Sequence, residues 1–137
     1  MRETLFRGKT ADENEWIYGD IFHSGAYPEI TRIHDYVNHL NYAVNPETVG
    51  EFTGLTDKNG VKIFEGDFIK VQHELGFVRF GEYKDIEGRY HLGFYIRWET
   101  DLLRPDIIYW AKNEKIKVAG NAYDNPELVG GDDHATD

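Results

Sequence analysis

Histidines, one serine and many carboxylates are the residues of this 137-residue chain whose types could support chemistry. Ser24 lacks the two glycines, each two residues away, that a nucleophile elbow requires. His34 and His39 lie five positions apart, so they do not share a helix face as the two ligands of a His-Glu-x-x-His zinc site do. A metal site built across the fold from scattered histidines and carboxylates stays open as an alternative. Its candidate histidines are His23, His34, His39, His73, His91 and His134.

Two short sequences match only fragments of ligand-binding motifs. Gly8-Lys9-Thr10 has the end of a phosphate loop, but Glu3 stands where that loop needs its first glycine. Asp57-Lys58-Asn59-Gly60 places glycine fourth, whereas a calcium-binding EF-hand loop needs it sixth. The chain has no cysteine, which excludes disulfides, thiolate nucleophiles and cysteine-held zinc or iron–sulfur sites. The sequence therefore predicts a protein that is not an enzyme and holds no cofactor.

The stretch from Phe77 to Trp98 is the best nucleic-acid candidate, because its cations are interleaved with aromatic residues that could stack on bases. The cations are Arg79, Lys84, Arg89 and Arg97, and the aromatics are Phe77, Phe80, Tyr83, Tyr90 and Tyr95. Three acids reduce its net charge to +1, and aromatics in alternating strand positions are more typical of a core. The whole chain has 15 Lys and Arg against 25 Asp and Glu, so phosphate binding would require its cations to be concentrated on one face. The sequence thus argues against a nucleic-acid partner.

The elements that must position these residues are predicted to be short β-strands. Fourteen glycines divide the chain into stretches rich in aromatic and β-branched residues, which is typical of all-β proteins. Strands separated by a bend such as Glu65-Gly66-Asp67 are typical of small SH3-like barrels. We therefore predict a mainly β fold of one or two small SH3-like, barrel-like lobes with minor single-turn helices. The predicted strands are residues 4–9, 15–22, 61–64, 67–71, 77–80, 90–96 and 115–123, and the first two are predicted to form a hairpin.

Short helical turns are predicted where capping residues cluster. In Asn45-Pro46-Glu47-Thr48-Val49-Gly50, asparagine is the N-cap, proline takes the first helical position and glycine ends the turn. The same phrase returns at residues 125–130 with five of six positions identical, which fits either a duplicated lobe or two independent uses of one capping sequence. Residues 28–44 mix helical spacing with β-branched runs, and we predict a loop plus a strand there. Residues 102–108 are predicted to form a loop or a short helix.

Three stretches of the chain resemble the YopX family of bacterial prophage and phage proteins. The central stretch is Glu47 to Gly60 continuing into Ile63-Phe64-Glu65-Gly66-Asp67, and the opening combines Arg2-Glu3, Phe6-Arg7-Gly8-Lys9 and Glu15 to Gly19. The closing phrase runs from Val118 to Leu128. The resemblance implies a small β-rich protein and supplies no catalytic residue. Its recurring positions are turn and cap types, which we interpret as a fold signature: Gly54, Asp57, Gly60, Gly66, Asp67, Gly120, Asn121 and Pro126.

The expected organisation is a single YopX-like domain over residues 1–129, with a possible lobe boundary near 45–55 and an acidic, frayed tail at 130–137. The leading functional hypothesis is a non-catalytic interaction or assembly module of a phage or prophage, which forms a homo-oligomer because short strands leave exposed edges. The formal charge of −10 supports a second hypothesis, an acidic decoy for a host nucleic-acid-binding protein. A metal- or carboxylate-dependent hydrolase is the third. We expect the protein in the cytoplasm of the bacterial host, away from membranes, because no apolar run approaches the roughly 20 residues that span a bilayer.

Overall fold

The computed structural model describes residues 4–25, 30–100, 103–113 and 115–129. The predicted tail at 130–137 and the opening Arg2-Glu3 lie outside these residues. The chain divides into two compact units, residues 1–54 and 55–137. The fold is mainly β, as predicted, with two antiparallel sheets. In the described part of the chain, no helix combines the length and the apolar character needed to cross a membrane.

Ten strands, one α-helix and two 3-10 turns make up the described elements. The strands are β1 (Phe6–Lys9), β2 (Trp16–Ser24), β3 (Ile30–Asp35), β4 (Asn41–Ala43), β5 (Gly50–Thr56), β6 (Lys62–Phe64), β7 (Asp67–Val71), β8 (Glu74–Lys84), β9 (Tyr90–Trp98) and β10 (Lys117–Asn121). The helix α1 covers Ile107–Lys112, and the 3-10 turns cover Pro46–Thr48 and Pro126–Val129.

The first unit is built on strands in the order β4-β3-β2-β1-β5. Strands β1 and β2 form the predicted hairpin, with Lys9 opposite Trp16. One face of this sheet is apolar, because alternate residues of a strand point to the same side. That face packs Ile17, Ile33 and Val44 together. Strand β5 continues past Gly54 into the second unit, where β6 follows it as the sixth strand of the sheet order.

The second unit contains a four-stranded sheet in the order β10-β7-β8-β9. One face carries the largest buried cluster, in which helix α1 contributes Ile107 and Trp110. The Trp98 and Trp110 rings meet edge to face, and both indole N–H groups donate to the Arg104 carbonyl. The cluster's buried members are Ile63, Ile69, Val78, Ile96, Trp98, Ile107, Trp110 and Ile116.

The barrel-like closure predicted from the sequence is not present among the described strands. Both sheets are open, because β4 and β6 end one order and β10 and β9 end the other without pairing to each other. At β9 the Ile96 N–H donates to the Pro105 carbonyl, so a loop segment bonds to that edge where barrel closure would need a strand. The predicted single-turn helices are present at Pro46–Thr48 and Pro126–Val129.

Residues 30–44 form a β-hairpin, which confirms the predicted strand and replaces the predicted loop with a second one. Ile33 is fully buried, whereas Val37 is 88% exposed and Leu40 is 57% exposed. The apolar spacing therefore does not describe one helix face. In the next segment, Asn45 caps the 3-10 turn by accepting from the Glu47 N–H, as predicted. The predicted stop at Gly50 is wrong by one residue, since Val49 is the C-cap and Gly50 already begins β5.

Candidate functional site

The β8–β9 hairpin joins the two longest strands of the second unit, with 11 and 9 residues. Residues that are opposite each other in the register share a face, so the hairpin has two distinct sides. On the inner side, Val78 opposite Ile96 is completely buried in the core. Nearer to the turn, the paired residues on both sides of the hairpin are no longer buried in the core. The exposed half of this hairpin is the candidate functional site.

An apolar surface continues the inner face of the hairpin beyond the core. Its rows are Phe80 opposite Phe94, Glu82 opposite Leu92 and Lys84 opposite Tyr90. Phe80 is 50% exposed, Leu92 76% and Tyr90 67%. The Phe80 and Phe94 rings meet edge to face, 5.0 Å apart. We call Phe80, Tyr90, Leu92 and Phe94 the hairpin patch.

A column of three aromatic rings lies on the outer face of the same hairpin. Tyr83 stacks on Tyr95 with centroids 5.0 Å apart, and on His91 with centroids 5.2 Å apart. Tyr83 and Tyr95 are not opposite each other, and the row between them is Gly81 opposite Gly93. These glycines place no side chain between the two tyrosine rings, which meet across the row. We call His91, Tyr83 and Tyr95 the aromatic stack.

The turn at the end of the hairpin is organised by Asp85. One carboxylate oxygen accepts from the backbone N–H groups of Glu87 and Arg89, and the other is 2.8 Å from the His91 Nε2. The His91 hydrogen bond, followed by that of the Arg89 N–H, lowers the pKa of the Asp85 carboxyl to about 2. Burial raises the pKa of the Tyr83 hydroxyl, and the negative charges of Asp106 and Asp85 raise it further. Tyr83 is therefore a neutral hydrogen-bond donor at neutral pH.

Because the pKa of Asp85 is low, we expect the turn to stay ordered at mildly acidic pH and to loosen only when this carboxyl is protonated. Because the folded pKa lies below the ordinary value of 3.8, the ionised carboxylate stabilises the fold above that value, and this contribution is lost as the pH falls towards about 2. A carboxyl-detected NMR titration should place the midpoint near about 2. In His91→Gln the midpoint should rise, since the largest cause has been removed. An unchanged midpoint in that variant would contradict the assignment.

The predicted fold-signature residues lie outside β8 and β9 in the sequence, and seven of them belong to the second unit. Asp57 and Gly60 form the β5–β6 turn, Gly66 and Asp67 precede and begin β7, and Gly120 and Asn121 end β10. Pro126 begins the second 3-10 turn, while Gly54 lies in β5 at the end of the first unit. The fold brings the central and closing phrases together, because Asn121 pairs with Asp67 and the Ala122 N–H donates to the Gly66 carbonyl. Their reading as a fold signature stays a prediction.

Buried carboxylates in this set bind backbone N–H groups. Asp57 accepts from Asn59 and Val61 with one oxygen, and from Val118 of β10 with the other. Asp67, 1% exposed, accepts from the Phe64 N–H. These contacts give both acids a role in holding turns and strands.

The stretch singled out in the sequence contains the candidate site. The expectation that its aromatics form core is wrong for Phe80 and Tyr90, which are exposed, whereas Phe77, Tyr83 and Tyr95 are half-buried. Leu92 of the hairpin patch was missed, although its place two residues after Tyr90 on the same strand face was a usable signal. Among the described residues, no three His, Asp or Glu side chains form a group that could hold a metal ion. His134 lies outside the described residues.

The described residues define an antiparallel β protein with two open sheets, whose longest hairpin presents an apolar patch on one side and stacked rings on the other. The chain belongs to the YopX protein family, whose model matches residues 5–130, and the resemblance predicted from its motifs is confirmed. No curated protein matches it. The crystal structure of protein EF1440 from Enterococcus faecalis is similar, with 23% sequence identity and a TM-score of 0.46, over 93% of this chain and 99% of that one.

Proposed function

We propose that this YopX-family protein is a non-catalytic assembly module, encoded by a phage or prophage, that associates with further copies of itself in the bacterial cytoplasm. The hairpin patch is the observation that supports this proposal. Soluble proteins rarely leave adjacent large apolar side chains in water unless the surface binds something. Here three of them, exposed by half or more, lie on adjacent rows of one strand face.

Local charge favours a second copy as the occupant of the hairpin patch. A chain of net charge −10 repels its own copies wherever acidic surfaces meet. In the three rows of the hairpin patch, the strand positions carry one acid and one cation, Glu82 and Lys84, so the patch is neutral there. Identical neutral apolar faces can pack together around a two-fold axis. The patch is therefore suited to self-association in spite of the acidic chain.

The test is the oligomeric state of wild-type protein and two variants by analytical ultracentrifugation across a wide concentration range. Leu92→Glu should weaken self-association about ten- to a hundredfold, since burial of a leucine contributes about 1.5–3 kcal/mol. Val37→Glu is the matched control, because Val37 is 88% exposed but belongs to the first unit and not to the patch. It should leave association unchanged.

A strict monomer at the highest concentration would contradict the proposal, as would equal effects of the two variants. Co-purification from infected cells tests the assembly role inside the host. Tagged wild-type protein should bring down untagged copies of itself, and tagged Leu92→Glu should not. Recovery of the tagged chain alone in both cases would count against an assembly role.

A further inference from the structure

The outer face of the four-stranded sheet combines cations with the aromatic stack. Strand alternation and the register place Lys117, Lys70, Arg97 and Arg79 on this side, opposite to the core. The core side carries the fully buried Ile69 and Val78, while the outer side has a buried residue of its own, Phe68, whose ring contacts Phe77. Within the four strands, no Asp or Glu occupies a position that faces this outer side, and the first acid after β9 is Glu99, whose N–H donates to the Leu75 carbonyl. The acidic chain therefore concentrates four of its 15 Lys and Arg on one sheet face.

Two of these cations are directly opposite each other. Lys117 of β10 pairs in register with Lys70 of β7, and both side chains are exposed. Like charges at opposite positions of adjacent strands destabilise a sheet. No ion pair joins Lys70, Lys117 or Arg79 to an acid in the described residues. A bound anion at this end of the face would offset the repulsion.

The aromatic stack adjoins the cations through Tyr95, which is opposite Arg79. Tyr83 is the middle ring of the column, so Tyr95 is its end ring on the side of the arginines. Asp85 bonds to His91 at the end of the column near the turn, whereas Asp106 follows Pro105 at the β9 edge and acts on the middle ring, Tyr83. The face thus runs from the Asp85 turn, through stacked rings, to cations at the base. A planar ring can extend the column at Tyr95 while its anionic group meets Arg79.

We infer that this face binds single-stranded nucleic acid, with bases stacking at Tyr95 and phosphates bound by Arg79, Arg97, Lys70 and Lys117. Cationic surfaces with exposed aromatic rings are the recurrent means of binding single strands without sequence preference. A four-stranded antiparallel sheet whose outer face carries the rings is one architecture that provides them. The hairpin patch lies on the opposite side, so this binding is separate from self-association.

Fluorescence anisotropy with a labelled oligothymidylate tests the inference. With four cations engaged, the slope of log affinity against log salt should be about −2.8, so raising the salt from about 50 to about 200 mM should weaken binding about fiftyfold. The double variant Lys70→Gln/Arg79→Gln should lower the slope to about −1.4. Lys84→Gln removes one charge from the opposite face of the same hairpin and should leave binding unchanged.

Stacking is tested separately from charge. Tyr95→Leu should weaken oligothymidylate binding at least about fivefold, whereas Tyr95→Phe retains the ring and should bind as wild type. Inorganic polyphosphate of the same charge should bind more weakly than the oligonucleotide. Leu92→Glu should bind oligothymidylate normally even as a monomer. Absence of saturable binding at low salt, equal losses in Lys84→Gln and the double variant, or polyphosphate binding as tight as oligothymidylate would each overturn the inference.

Discussion

Replacing Asp57 with alanine should lower the free energy of unfolding by about 3 kcal/mol, because buried backbone donors then lose their acceptor at a cost of about 1–3 kcal/mol each. The Asp57 side chain is buried and accepts from three N–H groups, those of Asn59, Val61 and Val118. The first two bonds close the β5–β6 turn, and the third ties that turn to β10. One substitution therefore loosens two elements that lie 61 residues apart in the sequence.

Asp85 provides a matched control for this prediction. Its turn repeats the geometry of the Asp57 turn, with a carboxylate oxygen accepting from the residues two and four positions later, Glu87 and Arg89. Gly60 and Gly88 occupy the same position in the two turns, with φ of 83° and 87°. The residues around Asp85 are exposed, so water can replace its carboxylate. Asp85→Ala should therefore be much milder.

The two unfolding curves in denaturant, recorded for Asp57→Ala and Asp85→Ala beside wild type, measure this difference. Asp57→Asn should fall between them, because one oxygen remains an acceptor while the amide presents a donor to another donor. Equal destabilisation by the two alanine variants would show that burial and the bond to β10 contribute nothing. Hydrogen exchange should in addition be fastest, relative to wild type, at the Val118 amide of Asp57→Ala.

The Asp57 and Asp85 turns differ in how easily they are predicted from the sequence. Asn59-Gly60 marks the first turn through a familiar dipeptide, whereas Asp85 to Gly88 has no such dipeptide and was not recognised. The shared signal is an aspartate three residues before a glycine, and it becomes visible only when both turns are compared. Local chemistry was sufficient for the β1–β2 hairpin and the Asn45 cap, since their contacts join residues close in sequence.

The candidate site was less predictable because it depends on the strand register and on which residue rows the rest of the chain buries. On β9 the inner positions are apolar both where they are buried, as at Ile96, and where they are exposed, as at Leu92. Only the position of the remaining chain decides which rows are covered. The aromatic stack spans the row of Gly81 opposite Gly93, a pairing of residues 12 apart that periodicity cannot supply. The cations of the outer face come from all four strands of one sheet, so only the strand order reveals them.

The backbones of β2 and β3 approach each other closely at Gly19, so this position tolerates a side chain less well than a turn glycine such as Gly60 does. Gly19 lies in β2 between Phe6 of β1 and Asp35 of β3. A Cβ atom on Gly19 would overlap the His34 carbonyl oxygen and would stand 2.7 Å from its carbon. Both are backbone atoms held in the sheet, so no rotation of a side chain can relieve the overlap. We therefore expect Gly19→Ala to move β3 away from β2.

Gly19→Ala should lower the free energy of unfolding by about 3 kcal/mol, which is the upper end of the usual cost of overpacking, because a strand must shift. Gly93→Ala is its matched control, because Gly93 is also a strand glycine and a Cβ there meets nothing within 4 Å. That variant should be neutral or slightly more stable, as alanine loses less backbone entropy on folding. Thermal melts of both variants, with NMR shifts of the β3 amides, distinguish the outcomes. A neutral Gly19→Ala would mean that β3 can separate from β2 at little cost, and the packing of Ile33 against Ile17 would then have to survive that separation.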